Sequence, residues 1–209
     1  MSVTVVIPAY NEAKYICNVL KPLVNVKEIT QIIVVNDAST DNTEEEALNC
    51  GVKVVSLQDN LGKGGALAKG LDYSVNETIL FLDADLIGLT EKHINDLIRP
   101  VINENADMTV GIFANGRLAT DMAQVVSPYL SGQRCIKKMW LDQINLSATG
   151  FGVETVLTNY ANQNNLCVVN VNLPNMSHVM KEEKLGLVRG FVFRLKMYWE
   201  IVKNVHIGG

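Results

Sequence analysis

Val3-Thr4-Val5-Val6-Ile7-Pro8-Ala9-Tyr10-Asn11-Glu12 is the stretch on which the fold turns. Its first five residues are all β-branched, which favours a strand. The apolar run is nearly continuous rather than alternating, so it predicts a strand buried on both faces. Pro8 has no N–H to give to a ladder and is expected to end the pairing. Glu12 to Leu23 follows with helical spacing, its apolar positions being Ile16, Val19, Leu20 and Leu23. Gln31–Val35 is then a second apolar run. Strand, helix and strand in this order predict a parallel unit.

The same alternation continues outward. Asp41-Asn42-Thr43-Glu44-Glu45-Glu46 reads as a helix start, with a capping side chain and then acids that suit the helix dipole. Val52–Leu57 is a third strand, Gly64 to Val75 a helix and Thr78–Leu82 a fourth strand. Thr90 is a good N-cap for a helix to about Ile102, with His93 at its third position, and Met108–Phe113 is a fifth strand. The pattern predicts an α/β fold: a Rossmann-like, mostly parallel central sheet with helices on both faces. Such sheets bind ligands beyond the carboxyl ends of their strands.

The second half is less regular. Gly116 to Ser147 mixes loop and helix signals, Gly152 to Asn162 predicts a helix and Leu166–Leu173 a strand. Pro174 to Gly186 is a polar loop and Leu187 to Asn204 a last helix. There is no internal repeat and no low-complexity linker. One domain over 1–209 is expected, with a regular, nucleotide-type half at 1–115 and an elaborated second half with the C-terminal helix at 116–209.

Composition narrows the class. With 48% hydrophobic and 19% charged residues, the 209-residue chain is too apolar to be disordered. A chain of this length buries roughly 70% of its extended surface and needs no staples. Eighteen basic against 22 acidic residues give a net charge of −4, which argues against a nucleic-acid partner. Cys17, Cys50, Cys135 and Cys167 form no CxxC pair, so free thiols in a reducing cytoplasm are expected. No basic n-region opens the chain, and no apolar run approaches the roughly 18 residues of a membrane span.

The residues after each strand carry the chemistry. Tyr10 offers a ring face to a base, and Asn11 and Glu12 can read base or ribose edges; a helix cap with a surface aromatic is the alternative. Asp37, after the second strand, can accept from a ribose hydroxyl or a base N–H, whereas Asp41 reads better as a cap. Asn60-Leu61-Gly62-Lys63-Gly64-Gly65-Ala66-Leu67 is a Gly-rich turn at a helix start, able to approach a phosphate. It is neither a P-loop nor a GxGxxG fingerprint, because Leu67 stands where the third Gly would be. Asp83-Ala84-Asp85, after the fourth strand, places two carboxylates where a hard divalent cation can share them with a diphosphate.

These four signals in this order resemble the family 2 glycosyltransferases, whose catalytic domain has the GT-A fold. The matching residues are Val5–Glu12, Ile33–Thr43, Asn60–Leu67 and Phe81–Asp85. The resemblance implies that Pro8, Ala9, Tyr10, Glu12 and Asp37 hold the nucleoside, with Lys63 near the base or phosphates. It also implies that Asp83 and Ala84 line the nucleotide and that Asp85 ligates Mg²⁺ or Mn²⁺ on the diphosphate. The second half is similar to bacterial glucosyl-3-phosphoglycerate synthases. Gly116-Arg117 resembles their Gly-Arg acceptor loop, and Gly150-Phe151-Gly152-Val153-Glu154 their Tyr-Gly-Val-Glu segment. His178 falls where they place a metal-completing His. Ser131-Gly132-Gln133-Arg134 only partly resembles their Gly-Gly-Glu-Tyr loop.

Read from their chemistry, Glu154 is a candidate catalytic base or acceptor-holding group at a helix start. Arg117 and Arg134 are candidate clamps for an anionic acceptor, because a guanidinium matches phosphate or carboxylate bidentately. The last helix gathers Arg189, Lys196, Glu200 and Lys203 on one face against an apolar remainder containing Trp199. It suits core packing or a homodimer contact, with peripheral contact at the inner face of a membrane as the minority alternative. The expected activity is metal-dependent transfer of a hexose from a nucleotide-diphosphate sugar to a hydroxyl acceptor such as a phosphoglycerate. A polyprenyl-phosphate or glycolipid sugar transferase and a non-catalytic nucleotide-sugar binding module are the alternatives. A sugar nucleotidyltransferase is disfavoured, since Pro8–Glu12 stands where its Arg-containing glycine loop would be.

Overall fold

The structure is a computed structural model that describes residues 1–113, 131–150 and 152–178. The predicted alternation is present. β1 (Val3–Ala9), α1 (Ile16–Leu20), β2 (Ile29–Asn36), α2 (Thr43–Asn49) and β3 (Lys53–Ser56) come first. α3 (Gly62–Asp72), β4 (Thr78–Phe81), β5 (Leu86–Ile87), α4 (Glu91–Ile102) and β6 (Met108–Phe113) follow. The second half supplies β7 (Arg134–Lys137), α5 (Lys138–Leu141) and a 3₁₀ turn at Leu146–Thr149. It ends with α6 (Val153–Gln163), β8 (Val168–Leu173) and β9 (Ser177–His178). Met1–Ser177 form one compact unit, and His178–Gly209 fall in a second, of which His178 alone is described.

Seven strands make one sheet in the order β3-β2-β1-β4-β7-β6-β8, and β5 pairs with β9 in a short ribbon. β1, β2, β3 and β4 are mutually parallel, as are β6 and β8, while β7 runs antiparallel between β4 and β6. Strand alternation separates two cores. Val5 and Ile7 pack with Ile16, Leu20, Ile94 and Leu97 of α1 and α4. Val6 and Ile79 pack with Ala66, Leu67, Val153 and Leu157 of α3 and α6. Helices therefore cover both faces, as the apolar strands require. Each buried Val, Leu or Ile contributes about 1.5–3 kcal/mol, enough to hold the sheet without cross-links. All four cysteines are free.

Several boundaries differ from expectation for physical reasons. β1 continues through Pro8, which pairs in register with Val35. The ladder to β4 runs only from Val3 to Val6, so the missing Pro8 N–H has no partner to disappoint on that side. α1 is five residues rather than the expected span to Leu23. At its front the Glu12 and Ala13 N–H groups bond Thr43 Oγ1 and Asp41 Oδ2, and the chain makes one turn on the Glu12 carbonyl, which accepts from the Tyr15 and Ile16 N–H groups, before α1 begins. At its back Lys21 still holds helical φ and ψ of −50° and −48°, but Pro22 has no N–H with which to carry the ladder on. β7 lies where mixed loop and helix signals were read, and β9 within the expected polar loop. Both are short, and β7 opens on Arg134, a residue that does not announce a central strand. Thr90 does cap α4, its Oγ1 accepting from the His93 N–H at 3.3 Å. The helix expected over Leu187–Asn204 lies outside the described residues. Among those described, no helix is long and apolar enough to cross a membrane.

Candidate functional site

The loops after β1 and β2 are laced together at the carboxyl edge of the sheet. Asn11 N–H donates to Ser39 Oγ at 3.0 Å, Thr40 N–H to Asn11 Oδ1 at 2.8 Å, and Glu12 N–H to Thr43 Oγ1 at 2.8 Å. Asn11 and Ala38 both take left-handed φ, 56° and 59°, which folds each loop back on the other. Asp41 stands one residue before the cap position, which Asn42 holds; its Oδ1 accepts from Thr43 N–H at 3.0 Å and closes an Asx turn at the start of α2. Tyr10 stands on this edge 48% exposed, its ring available to a planar ligand, while Ala9 beneath it is buried and Pro8 half-buried.

Asp37 forms the floor beside Tyr10. It is 4% exposed, and its Oδ1 accepts the Leu61 N–H at 2.7 Å. Its carbonyl accepts from Asn60 Nδ2 at 3.1 Å, so the residue also anchors the Gly-rich turn before α3. Burial raises its carboxyl above the usual carboxylate range, opposed by the Leu61 and Gly62 N–H groups. Gly62 opens α3 at φ +73°, a left-handed turn that a side chain would strain. That turn aims Lys63 into the crevice.

The centre of the site is an ionic cluster. Lys63 Nζ lies 2.5 Å from Asp83 Oδ1 and 2.5 Å from Glu154 Oε1. All three side chains are no more than 20% exposed. Burial works against the ammonium, but the Asp83 and Glu154 carboxylates outweigh it and hold the Lys63 pKa above the lysine range. Asp83 Oδ2 in turn accepts from Gln133 Nε2 at 2.8 Å. Asp83, Asp85 and His178 each offer one ligand atom within 4.8 Å of the others. Two carboxylates and an imidazole suit Mg²⁺ or Mn²⁺, with room for the diphosphate oxygens such ions retain. Ala84 between them is buried, which turns both carboxylates the same way out of the sheet edge.

The structure gathers Asp83, Asp85, His178, Lys63 and Glu154 into one group, and Pro8, Ala9, Tyr10, Glu12, Asp37 and Ala84 along the same strand ends. Sequence reasoning placed Lys63 by the base or phosphates; here its ammonium joins two carboxylates, one of them 91 positions away. Arg134 requires a correction. As an acceptor clamp it should face solvent, yet it is 1% exposed. Its Nε donates to the Ser131 carbonyl at 2.9 Å and its Nη2 to Thr158 Oγ1 at 2.8 Å. Burial pushes its pKa down to about 10, with Glu154 opposing, so it stays a cation at neutral pH. The Nε N–H and one Nη2 N–H are thereby spent inside the protein rather than turned to solvent. Gly116 and Arg117 lie outside the described residues. Gln133 and Ser131 are site residues to which sequence reasoning gave no role. Their one signal was the partial likeness of Ser131–Arg134 to the Gly-Gly-Glu-Tyr loop, which says nothing of the contact with Asp83.

Comparison with known proteins agrees with this geometry. The model of the family described as glycosyl transferase family 2 matches residues 4–146. An uncharacterized glycosyltransferase, YaiP, of Escherichia coli (strain K12) is 36% identical over 112 residues, covering 51% of this chain and 28% of its own length. The 4,4'-diaponeurosporenoate glycosyltransferase of Staphylococcus aureus (strain bovine RF122 / ET3-1) is 34% identical over 102 residues, covering 46% and 27%. The chain thus spans little more than a quarter of the length of these relatives. Among solved structures, glucosyl-3-phosphoglycerate synthase from Mycobacterium tuberculosis superposes with a TM-score of 0.72. It is 26% identical, with 85% of this chain and 71% of that one covered, in a complex with Mn²⁺, UDP-glucose and phosphoglyceric acid. The same enzyme with Mn²⁺, UDP and glucosyl-3-phosphoglycerate gives the same TM-score at 25% identity. With the family match spanning more than half of its residues, including the strands and loops that carry Lys63, Asp83 and Asp85, the chain belongs to glycosyltransferase family 2.

Proposed function

We propose that this chain is the catalytic domain of a metal-dependent hexosyltransferase that moves a sugar from a nucleotide-diphosphate sugar to a hydroxyl acceptor. The observation that carries the proposal is the Asp83, Asp85 and His178 group beside the Lys63–Glu154 ion pair. Asp85, with His178, holds Mg²⁺ or Mn²⁺; when bound, the ion supplies Lewis-acid stabilisation to the leaving diphosphate. Pro8, Ala9, Tyr10, Glu12 and Asp37 bind the nucleoside, and Asp83 and Ala84 line its ribose side. Lys63 keeps Asp83 and Glu154 in register. Because Glu154 Oε1 accepts from Lys63, its Oε2 is the oxygen left to meet an acceptor or sugar hydroxyl.

Uridine is the favoured base, since the similar synthase is solved with UDP and UDP-glucose. A small anionic acceptor of the phosphoglycerate kind is favoured on the same ground, with Gly116 and Arg117 as its binding residues. Within one domain, 1–115 serves the nucleotide and 116–209 the acceptor. A lipid acceptor at a membrane surface is the second reading, supported by the similarity to a diaponeurosporenoate glycosyltransferase.

The test is a transfer assay with UDP-glucose, Mn²⁺ and either 3-phosphoglycerate or a lipid extract, with products identified by mass spectrometry. A glucosylated phosphoglycerate supports the reading, and a glycolipid product transfers it to the second. Nucleotide-sugar binding without transfer or hydrolysis would make the chain a binding module. The anomeric configuration of the product reports whether Glu154 acts as a base, since inversion needs one.

A further inference from the structure

The segment Ser131-Gly132-Gln133-Arg134 enters the sheet as β7 and touches the ionic cluster from beneath. Gln133 is fully buried, with 0% exposure. Its backbone is fixed, since its carbonyl accepts from the Gly111 N–H at 2.8 Å and its own N–H donates to Ser131 Oγ at 3.3 Å. Its side-chain amide is fixed as well. Nε2 donates to Asp83 Oδ2 at 2.8 Å, and Oε1 lies 3.1 Å from Ser131 Oγ. Ser131 Oγ is itself 2.5 Å from the Gly111 carbonyl. An ionised carboxylate only accepts, so the amide must present its NH₂ to Asp83.

Asp83 is therefore gripped on both oxygens: Lys63 holds Oδ1 and Gln133 holds Oδ2. Two donors on opposite sides of a carboxylate fix the plane of the group and its rotation about the side chain. Gly132 makes the approach feasible, because a Cβ there would lie 2.6 and 2.7 Å from the two Asp83 oxygens.

We propose that Gln133 is a positioning residue that sets the orientation of Asp83 toward the divalent cation and the donor. The inference rests on the proposed metal site and goes one step past it: Asp83, assigned above to the ribose side, also offers an oxygen within 4.8 Å of ligand atoms of Asp85 and His178, so its orientation bears on the ion as well. Gln133 touches no substrate; it acts through Asp83, and a neutral amide does so without adding charge to the cluster. Groups of this kind behind metal ligands change metal affinity or activity by roughly 10–100-fold when removed.

Gln133→Met keeps the volume and removes the donor. Free Mn²⁺ measured by electron paramagnetic resonance, with UDP present, gives the metal dissociation constant of the folded protein. Gln133→Met is expected to weaken Mn²⁺ binding about 10–100-fold. Ser131→Ala, which leaves the amide but loosens it, is expected to give a smaller loss in the same direction and serves where Gln133→Met folds poorly. A purely structural role is separated by a double-variant cycle. In an Asp83→Ala background, Gln133→Met should weaken Mn²⁺ binding no further. Unchanged Mn²⁺ affinity in Gln133→Met and Ser131→Ala, beside a wild type that binds Mn²⁺ and UDP, would overturn the inference alone. An undiminished effect of Gln133→Met without Asp83 would overturn it too. A wild type that binds neither ion nor nucleotide would overturn the proposed function and this inference with it.

Discussion

Gly132→Ala adds one methyl group to the most crowded point of the site. The new Cβ would stand 2.6 Å from Asp83 Oδ2 and 2.7 Å from Oδ1, and closer still to Lys63 Nζ. Ordinary contact begins at 3.4 Å, so about 0.7–0.8 Å must be found. The backbone cannot supply it: Arg134, two residues into the segment, pairs with Phe81 and Val110, and Gln133 is tied to Gly111. Lys63 can bend aside cheaply, but Asp83 is short and must rotate off both donors. Overpacking of this size costs about 1–3 kcal/mol, a fall of roughly 2–12 °C in Tm for a chain of this length. A misplacement near 1 Å in the reacting region costs on the order of 100-fold in rate. Calorimetry and a transfer assay on one preparation measure both effects. The expected result is a folded protein, slightly less stable, with turnover reduced about 100-fold. Wild-type turnover would refute the claim that Gly132 is needed for close approach to Asp83.

Three further outcomes are expected. Lys63→Met leaves Asp83 and Glu154 without their shared cation; given their partial exposure, a loss of about 1–3 kcal/mol is expected by urea unfolding, with turnover falling further than stability. His93, 5% exposed, has its pKa lowered chiefly by burial, so the unfolded chain binds its proton first. That contribution is in place above about pH 6.5 and is lost as pH falls below it. Urea midpoints from pH 8 to 5 should decline in the wild type and decline less in His93→Gln. Arg134→Met should lower stability by about 1–3 kcal/mol, through donors lost at Ser131 and Thr158, while acceptor KM stays near wild type. A large rise in acceptor KM at unchanged stability would restore Arg134 to the acceptor face.

How much of this was legible in the sequence depends on distance along the chain. β6 falls on the predicted Met108–Phe113, and Thr90 caps α4 as predicted, because apolar runs and caps are local signals. The strand-end motifs placed Asp37, Asp83 and Asp85 correctly at the carboxyl edge, since in a parallel sheet that edge follows from strand order alone. β7 was missed: a four-residue strand opening on a buried arginine has neither the length nor the polarity of a central strand. The Lys63–Glu154 contact was also out of reach. No local pattern links residues 91 positions apart, and only the packing of α3 beside the 3₁₀ turn at Leu146–Thr149 brings them together. Arg134 was misplaced for the converse reason, since charge suggests solvent and only the fold reveals a buried guanidinium with its own acceptors.

Isothermal titration of UDP into the protein, with Mn²⁺ and then with a chelator, beside Asp85→Ala under the same conditions, tests the central claim most directly. The predicted result is binding that requires the ion in the wild type and is lost in Asp85→Ala. Equal binding of UDP in the chelator, or undiminished Mn²⁺-dependent binding by Asp85→Ala, would contradict a metal-assisted donor site at this cluster.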